Sequence, residues 1–173
     1  DSVTSLGSNI FYDCPNIESL TVEEFSYSSG YSSYSNLFTY VSDLFGASSA
    51  DYDGEYDSSL GGYTDEFYYA YNSRYVPVSL TSVTLGHVNS VPASSFRGMT
   101  ELTDVYLEFF NRGSSYTQSI GDYAFYGCEN LDTFTVTGGE YVDTIGQYAF
   151  SGCTLLPDDI LAEFESVETI GAY

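Results

Sequence analysis

Ile120-Gly121-Asp122-Tyr123-Ala124-Phe125-Tyr126-Gly127-Cys128-Glu129-Asn130-Leu131 returns 25 positions later as Ile145-Gly146-Gln147-Tyr148-Ala149-Phe150-Ser151-Gly152-Cys153-Thr154-Leu155-Leu156. Self-similarity at a fixed period is the mark of an array in which one small unit stacks on copies of itself. Outward from this pair, a third copy opens the chain as Leu6-Gly7, Ile10-Phe11, Cys14 and Ile17, and keeps the apolar positions. A worn fourth runs through Val91, Phe96, Met99 and Leu102, and a fifth begins at Ile170-Gly171-Ala172-Tyr173. Because the fifth copy breaks off inside its motif, the chain reads as a stretch of a longer array.

After each motif comes a short alternating run: Ile17-x-x-Leu20-x-Val22, Leu80-x-x-Val83-x-Leu85, Leu102-x-x-Val105-x-Leu107 and Leu131-x-x-Phe134-x-Val136. Alternation of this kind predicts a strand with one buried face. A further apolar residue precedes the Ile-Gly position by three, at Val3, Val88, Val142 and Val167, which predicts a second short extended piece in each coil. The glycine of the Ile-Gly pair is expected to make the tight bend, since glycine tolerates positive φ. Ala-Phe-x-x-Cys reads as one helical or 3-10 turn with Phe and Cys on a shared face. One such unit cannot bury its faces alone, so neighbours must stack into a continuous ladder of Leu, Val, Phe and Cys.

The pattern V-x-x-I-G-x-x-A-F-x-x-C-x-x-L-x-x-V-x-V resembles the BspA-like class of leucine-rich repeats found on bacterial surface proteins. The likeness covers residues 1 to 22 and roughly 80 to 173. It implies an α/β, β-rich solenoid, a horseshoe-like right-handed coil of short strands and short helical or 3-10 turns. It also implies a place on the cell surface or outside the cell, and attachment to host or matrix proteins or to other cells. Residues 1–173 then form a single domain with a Tyr-, Ser- and Asp-rich insertion at about 23–79. Within that insertion Val41-Ser42-Asp43-Leu44-Phe45-Gly46 looks like another corner, and Tyr75-Val76-Pro77-Val78-Ser79-Leu80 like a re-entry into a strand. Leu156-Pro157-Asp158-Asp159-Ile160-Leu161 places an acid at a strand anchor, and no regular strand is expected there.

Charge removes whole classes of function. The 25 acids face only 3 Lys plus Arg among 173 residues, for a net charge of −22. Nucleic-acid affinity rests on cations that displace condensed counterions, and a field this negative repels DNA, RNA and anionic lipid. An apolar content of 43%, with 18% aromatic, is enough for a packed core. No run approaches the roughly 20 apolar residues of a membrane span, so no direct membrane insertion is expected.

Few residues carry a chemical signature. Cys14, Cys128 and Cys153 hold one place in three repeats and Met99 fills it in a fourth, which points to free core thiols, since a thioether cannot replace a reactive or metal-binding thiolate. A Cys128 to Cys153 disulfide between adjacent rungs is the alternative. His87 is the single histidine and stands in no nucleophile motif, so it reads as an edge or corner residue. A pair of carboxylates acting on a glycoside is recognised by spatial separation, which sequence does not give. Gly61-Gly62 and Gly138-Gly139 lack a following helix and cation and read as turns. Asp51-Tyr52-Asp53-Gly54-Glu55-Tyr56-Asp57 partly matches a calcium loop, but aligning Gly54 puts Ser49 at the first ligand and Leu60 at the bidentate Glu. A solvated acidic turn is the reading, with calcium the alternative. No cofactor is expected.

Residues between the strand anchors face outward. Ser19 and Thr21 should align with Ser82 and Thr84, with Asp104 and Tyr106, and with Thr133 and Thr135, making two polar stripes. These eight, joined by Tyr52 and Tyr56 of the insertion, are the expected partner-binding residues, since Tyr offers a large rigid contact area with a polar tip. The expectation is a non-enzymatic binding module that contacts a protein or a glycan surface. A glycan-processing accessory domain and a plain spacer are the alternatives.

Overall fold

The structure is a computed structural model that describes residues 11, 14, 16–22, 77–88, 90–111 and 117–172, with the backbone alone of residues 56–57, 62–63, 67–70 and 74–76. Four strands form the main sheet: β1 (Ser19–Val22), then β6 (Ser82–Val88), β7 (Asp104–Phe109) and β9 (Thr133–Thr137), paired in that order and all parallel. A second parallel ladder joins β8 (Ser119–Ile120), β10 (Thr144–Ile145) and β11 (Thr169–Ile170), and Val91 extends it by a bridge to Ile120. Each Ile of the Ile-Gly pair thus sits on this second ladder, as the outlying valines led one to expect.

Between the ladders the chain runs through the Ala-Phe-x-x-Cys segments as 3-10 turns. Ala124 N donates to Gly121 O, Tyr126 N to Tyr123 O and Cys128 N to Phe125 O, each bond reaching back three residues. The turns are also stitched coil to coil, with Phe96 N donating to Ala124 O and Phe125 N to Ala149 O, both at 2.7 Å. Backbone groups of a turn that cannot pair within itself are satisfied this way by the next coil. The fold is a leucine-rich-repeat fold of short parallel strands and 3-10 turns.

The core is the expected ladder. Phe96, Phe125 and Phe150 stack face to face, at 4.8 Å and 5° for the first pair and 5.4 Å and 3° for the second. Phe134 meets Phe125 and Phe150 edge-on at 5.1 and 5.3 Å. Leu80, Leu102 and Leu131, one per coil, are fully buried, and Phe11 packs against the same cluster.

Three expectations are refined by the structure and a fourth is met. The glycines of the Ile-Gly pairs do not adopt positive φ; the left-handed positions are Ser94, Tyr123 and Tyr148, and Gly98, Gly127 and Gly152 just before the Met or Cys. Glycine is needed in the pair for close approach instead: a Cβ on Gly121 would lie 2.5 Å from Ala93 N, and one on Gly146 would overlap Asp122 N. Gly138-Gly139 does have a helix after it, a single 3-10 turn at Gly139–Tyr141, with Gly138 left-handed at its start. The expected re-entry strand, β5 (Arg74–Pro77), pairs antiparallel with β4 (Phe67–Ala70) and turns at Val78 and Ser79 before the main sheet resumes. Asp158 and Asp159 lead into a 3-10 turn at Ile160–Glu163, so the main sheet ends at β9, as the acid at the strand anchor foretold.

The insertion leaves after β1 and returns before β6, yet these two strands pair directly, Ser19 with Ser82 and Val22 with Leu85. The chain therefore leaves the main sheet after Val22 and rejoins it on the neighbouring strand. Between those points, β2 (Tyr56–Asp57) pairs antiparallel with β3 (Gly62–Tyr63). The corner at 41–46 and all but the last two residues of the acidic 51–57 segment lie outside the described residues.

Candidate functional site: the outer face of the parallel sheet

Strand periodicity fixes which side chains reach solvent, because successive residues point to opposite faces. Leu20, Val83, Val105 and Phe134 form one inward row, and Val22, Leu85, Leu107 and Val136 another; all are buried. Between them Ser19, Ser82, Asp104 and Thr133 align as one outward column, and Thr21, Thr84, Tyr106 and Thr135 as a second. Eight of the ten sequence-predicted site residues are thus brought together. With strands about 4.8 Å apart, each column spans roughly 14 Å. Tyr56 lies on β2, in a separate two-stranded sheet, and Tyr52 lies outside the described residues.

A third column was missed by the sequence reading. β7 and β9 extend one outward position further, pairing Glu108 with Thr137, and the alternation of Glu108 and Thr137 beyond the last apolar anchors was the signal available. The Tyr106 hydroxyl and Thr137 Oγ1 are 3.1 Å apart, which fixes the ring across the face. Thr103 Oγ1 donates to Asp104 Oδ2 at 2.6 Å and Thr133 Oγ1 to Asp132 Oδ1 at 3.0 Å.

His87 borders this face. The pairing of β6 with β7 slips between Leu85 and Val88, and His87 sits in that bulge with φ 53°. Bulges turn a side chain out of the pleat, and here the imidazole reaches Glu108 Oε2 at 3.9 Å and the Phe110 ring at 5.3 Å. No serine or cysteine hydroxyl or thiol is placed against it among the described residues, so the pair lacks the nucleophile of an acyl-transfer site.

The thiols are unbridged and carry a role of their own. Cys128 Sγ donates to Phe96 O and Cys153 Sγ to Phe125 O, each at 3.0 Å and each one coil back. Burial, followed by neighbouring Cys153, pushes the Cys128 thiol well above the usual range, while neighbouring Cys128 draws Cys153 below it. Cys128 is fully buried. Both are ladder parts, as the Met99 exchange led one to expect, with a donor function that the sequence did not reveal.

An open hollow of about 370 Å³ lies off the edge of the face, lined by Val136, Gly138, Gly139 and Glu140 on one side and Ala162, Glu163 and Glu165 on the other. Among the described residues no group of three His, Cys, Asp or Glu side chains is placed to hold a metal ion. The outer sheet face carries hydroxyls, one aromatic ring and the carboxylates of Asp104 and Glu108.

Such stacked parallel coils define a leucine-rich-repeat module. The chain belongs to the BspA type leucine-rich repeat region (6 copies) family, whose model matches residues 1–45 and 69–173. Only residues 46–68 fall outside the match, so the likeness reaches further, into 23–45 and 69–79, than the sequence motifs alone had carried it. Modules of this class generally bind proteins and are typically non-catalytic, and the family is associated with cell-surface proteins. The chain is also similar to the T. pallidum leucine-rich repeat protein (TpLRR), with 20% identity over 68% of this chain and a TM-score of 0.40. The alignment takes in 64% of that protein's length. No curated protein matches the chain. No helix of the described residues is long and apolar enough to cross a membrane.

Proposed function

We propose that the chain is a non-enzymatic adhesion module displayed on or outside a bacterial cell, with the outer sheet face as its contact surface for a host or matrix protein. The observation that carries this reading is the unbroken register that holds Ser19, Ser82, Asp104 and Thr133 beside Thr21, Thr84, Tyr106 and Thr135. Parallel pairing fixes these side chains before any partner arrives, so little conformational entropy is lost on contact. Tyr106 is the anchor, since aromatic side chains dominate contact energetics. Tyr52 and Tyr56 are the further contact residues of this reading, tested by the deletion below. Neither a metal nor a cofactor enters the reading, although calcium at residues 51–57 is tested directly by calorimetric titration.

Surface-immobilised matrix and serum proteins, screened against the chain, test the proposal. Binding of one of them that falls at least about tenfold on Tyr106→Ala or Thr84→Glu, with the melting temperature held, is the expected result. Binding that ignores both substitutions removes this face from the reading. A partner lost on deletion of residues 47–73 assigns the insertion a share of the contact. Absence of any partner leaves a spacer.

A further inference from the structure

Opposite in character to the hydroxyl face is a corner of the coils where the sequence reading placed no site. Two columns run there. One holds Ser94, Tyr123 and Tyr148, all left-handed. The other holds Arg97, Tyr126 and Ser151, aligned by the bonds from Gly98 N to Tyr126 O and from Gly127 N to Ser151 O. The rings of Tyr123 and Tyr148 stack at 5.0 Å and 16°, and Tyr126 meets Tyr123 edge-on at 5.7 Å. Arg97, from the preceding coil, lays its guanidinium over both Tyr123 and Tyr126, at 5.4 and 5.3 Å.

Two features of this cluster call for a ligand. Arg97 is exposed and has no carboxylate partner among the described residues, in a chain with 25 acids and a net charge of −22. The hydroxyls of Tyr123, Tyr126 and Tyr148 likewise make no hydrogen bond there. A fixed guanidinium and three phenol tips, unbonded among the described residues, concentrate hydrogen-bond donors on an aromatic shelf, with the small Ser151 beside Tyr126.

We propose that this corner binds a glycan that carries a carboxylate. The guanidinium takes the carboxylate through two parallel N–H bonds, and the aromatic rings holding Arg97 reduce the entropy it loses on doing so. The rings receive the C–H face of a sugar, and the phenol tips reach its hydroxyls. Three coils at roughly 4.8 Å spacing match a disaccharide better than a single carboxylate on a peptide end. The overall field opposes an anion, but at about 0.15 M salt it is screened beyond about 8 Å, so contact chemistry decides. This site is separate from the sheet face and stands whether or not that face binds protein.

Calorimetric titration at about 0.15 M salt tests it, using an oligosaccharide of alternating glucuronate and N-acetylglucosamine and the same oligosaccharide with its carboxylates reduced to alcohols. The acidic form is expected to bind at least about tenfold tighter, the span of a charge-assisted hydrogen bond. Arg97→Gln should erase that preference, and Ser151→Tyr, which fills the shelf, should weaken both sugars. Equal binding of the two forms, or binding of neither, to the unaltered chain overturns the proposal without any variant having to fold. A preference that survives in Arg97→Gln with an unchanged circular-dichroism melt overturns it as well.

Discussion

The thiol of Cys153 donates its hydrogen to the backbone carbonyl of Phe125, 3.0 Å away and one coil back, as Cys128 does to Phe96. Each of these carbonyls already accepts an amide within its own turn, from Cys128 N and Met99 N respectively. The thiol therefore fills a second lone pair and ties adjacent coils together. Cys128→Ala should lower stability by about 1 to 2 kcal/mol, the lost bond plus a small void, measured by urea unfolding. Cys128→Ser keeps a donor and should separate the two contributions.

Phe125 stacks between Phe96 and Phe150 and is fully buried. Phe125→Ala should cost about 3 to 5 kcal/mol, as large-to-small core changes do, whereas the exposed Thr135→Ala should leave the midpoint nearly where it was. Similar shifts for both variants would contradict the stacked core.

Two glycines in successive repeats should fail for different reasons. A methyl on Gly146 strikes the backbone of Asp122, so Gly146→Ala must push adjacent coils apart, at a cost of about 1 to 3 kcal/mol for overpacking. Gly127 has φ +74°, and a Cβ there would make only ordinary van der Waals contact, with Gly98 Cα at 3.8 Å, so Gly127→Ala meets only the left-handed penalty of about 1 to 2 kcal/mol. Gly127→Asn, better tolerated at positive φ, should recover some of that loss while Gly146→Asn should not.

Cys128 is held above the usual thiol range mainly by burial and Cys153 below it by neighbouring Cys128. A limited maleimide pulse at neutral pH should therefore label Cys153 before Cys128, read by peptide mass mapping. For stability, an acid with a raised folded pKa binds more protons folded than unfolded, so its contribution is lost as pH climbs past about 8.5, the free-thiol value. Cys153 works in the opposite sense. Cys128 should therefore weaken the fold above about pH 9, and Cys128→Ser should flatten that part of the pH dependence while Cys153→Ser should not.

With a net charge of −22, the folded chain repels itself. Raising salt from about 0.01 to 0.15 M shortens the screening length from roughly 30 to 8 Å and should raise the melting temperature. A fall would mean that specific ion pairs outweigh the overall repulsion.

Much of this molecule was legible because a repeat supplies its own internal comparison. Aligning Phe125 with Phe150 and Cys128 with Cys153 exposes the inward positions, and alternation around Val83, Val105 and Phe134 gives the strand register directly. The same logic foretold the missing strand at Asp158 and Asp159. Reading failed where spacing does not encode distance. Gly121 looked like a bend, yet it is needed because Ala93 of the previous coil lies against it. Arg97 and Tyr123 stand in different repeats and in no common motif, so nothing in the line of letters put a cation on a ring.

The sequence by itself determined the period, the buried rows, the outward columns and the absence of a basic surface, since each follows from the order and type of residues within one coil. The tertiary structure alone decided what passes between coils: the thiol-to-carbonyl bonds, the glycine contacts, the direct pairing of Ser19 with Ser82 across some sixty residues of chain, and the tyrosine corner under Arg97. The physical reason is that periodicity specifies direction from the backbone, whereas contact depends on the offset between coils and on the rotamers that the packed neighbours allow.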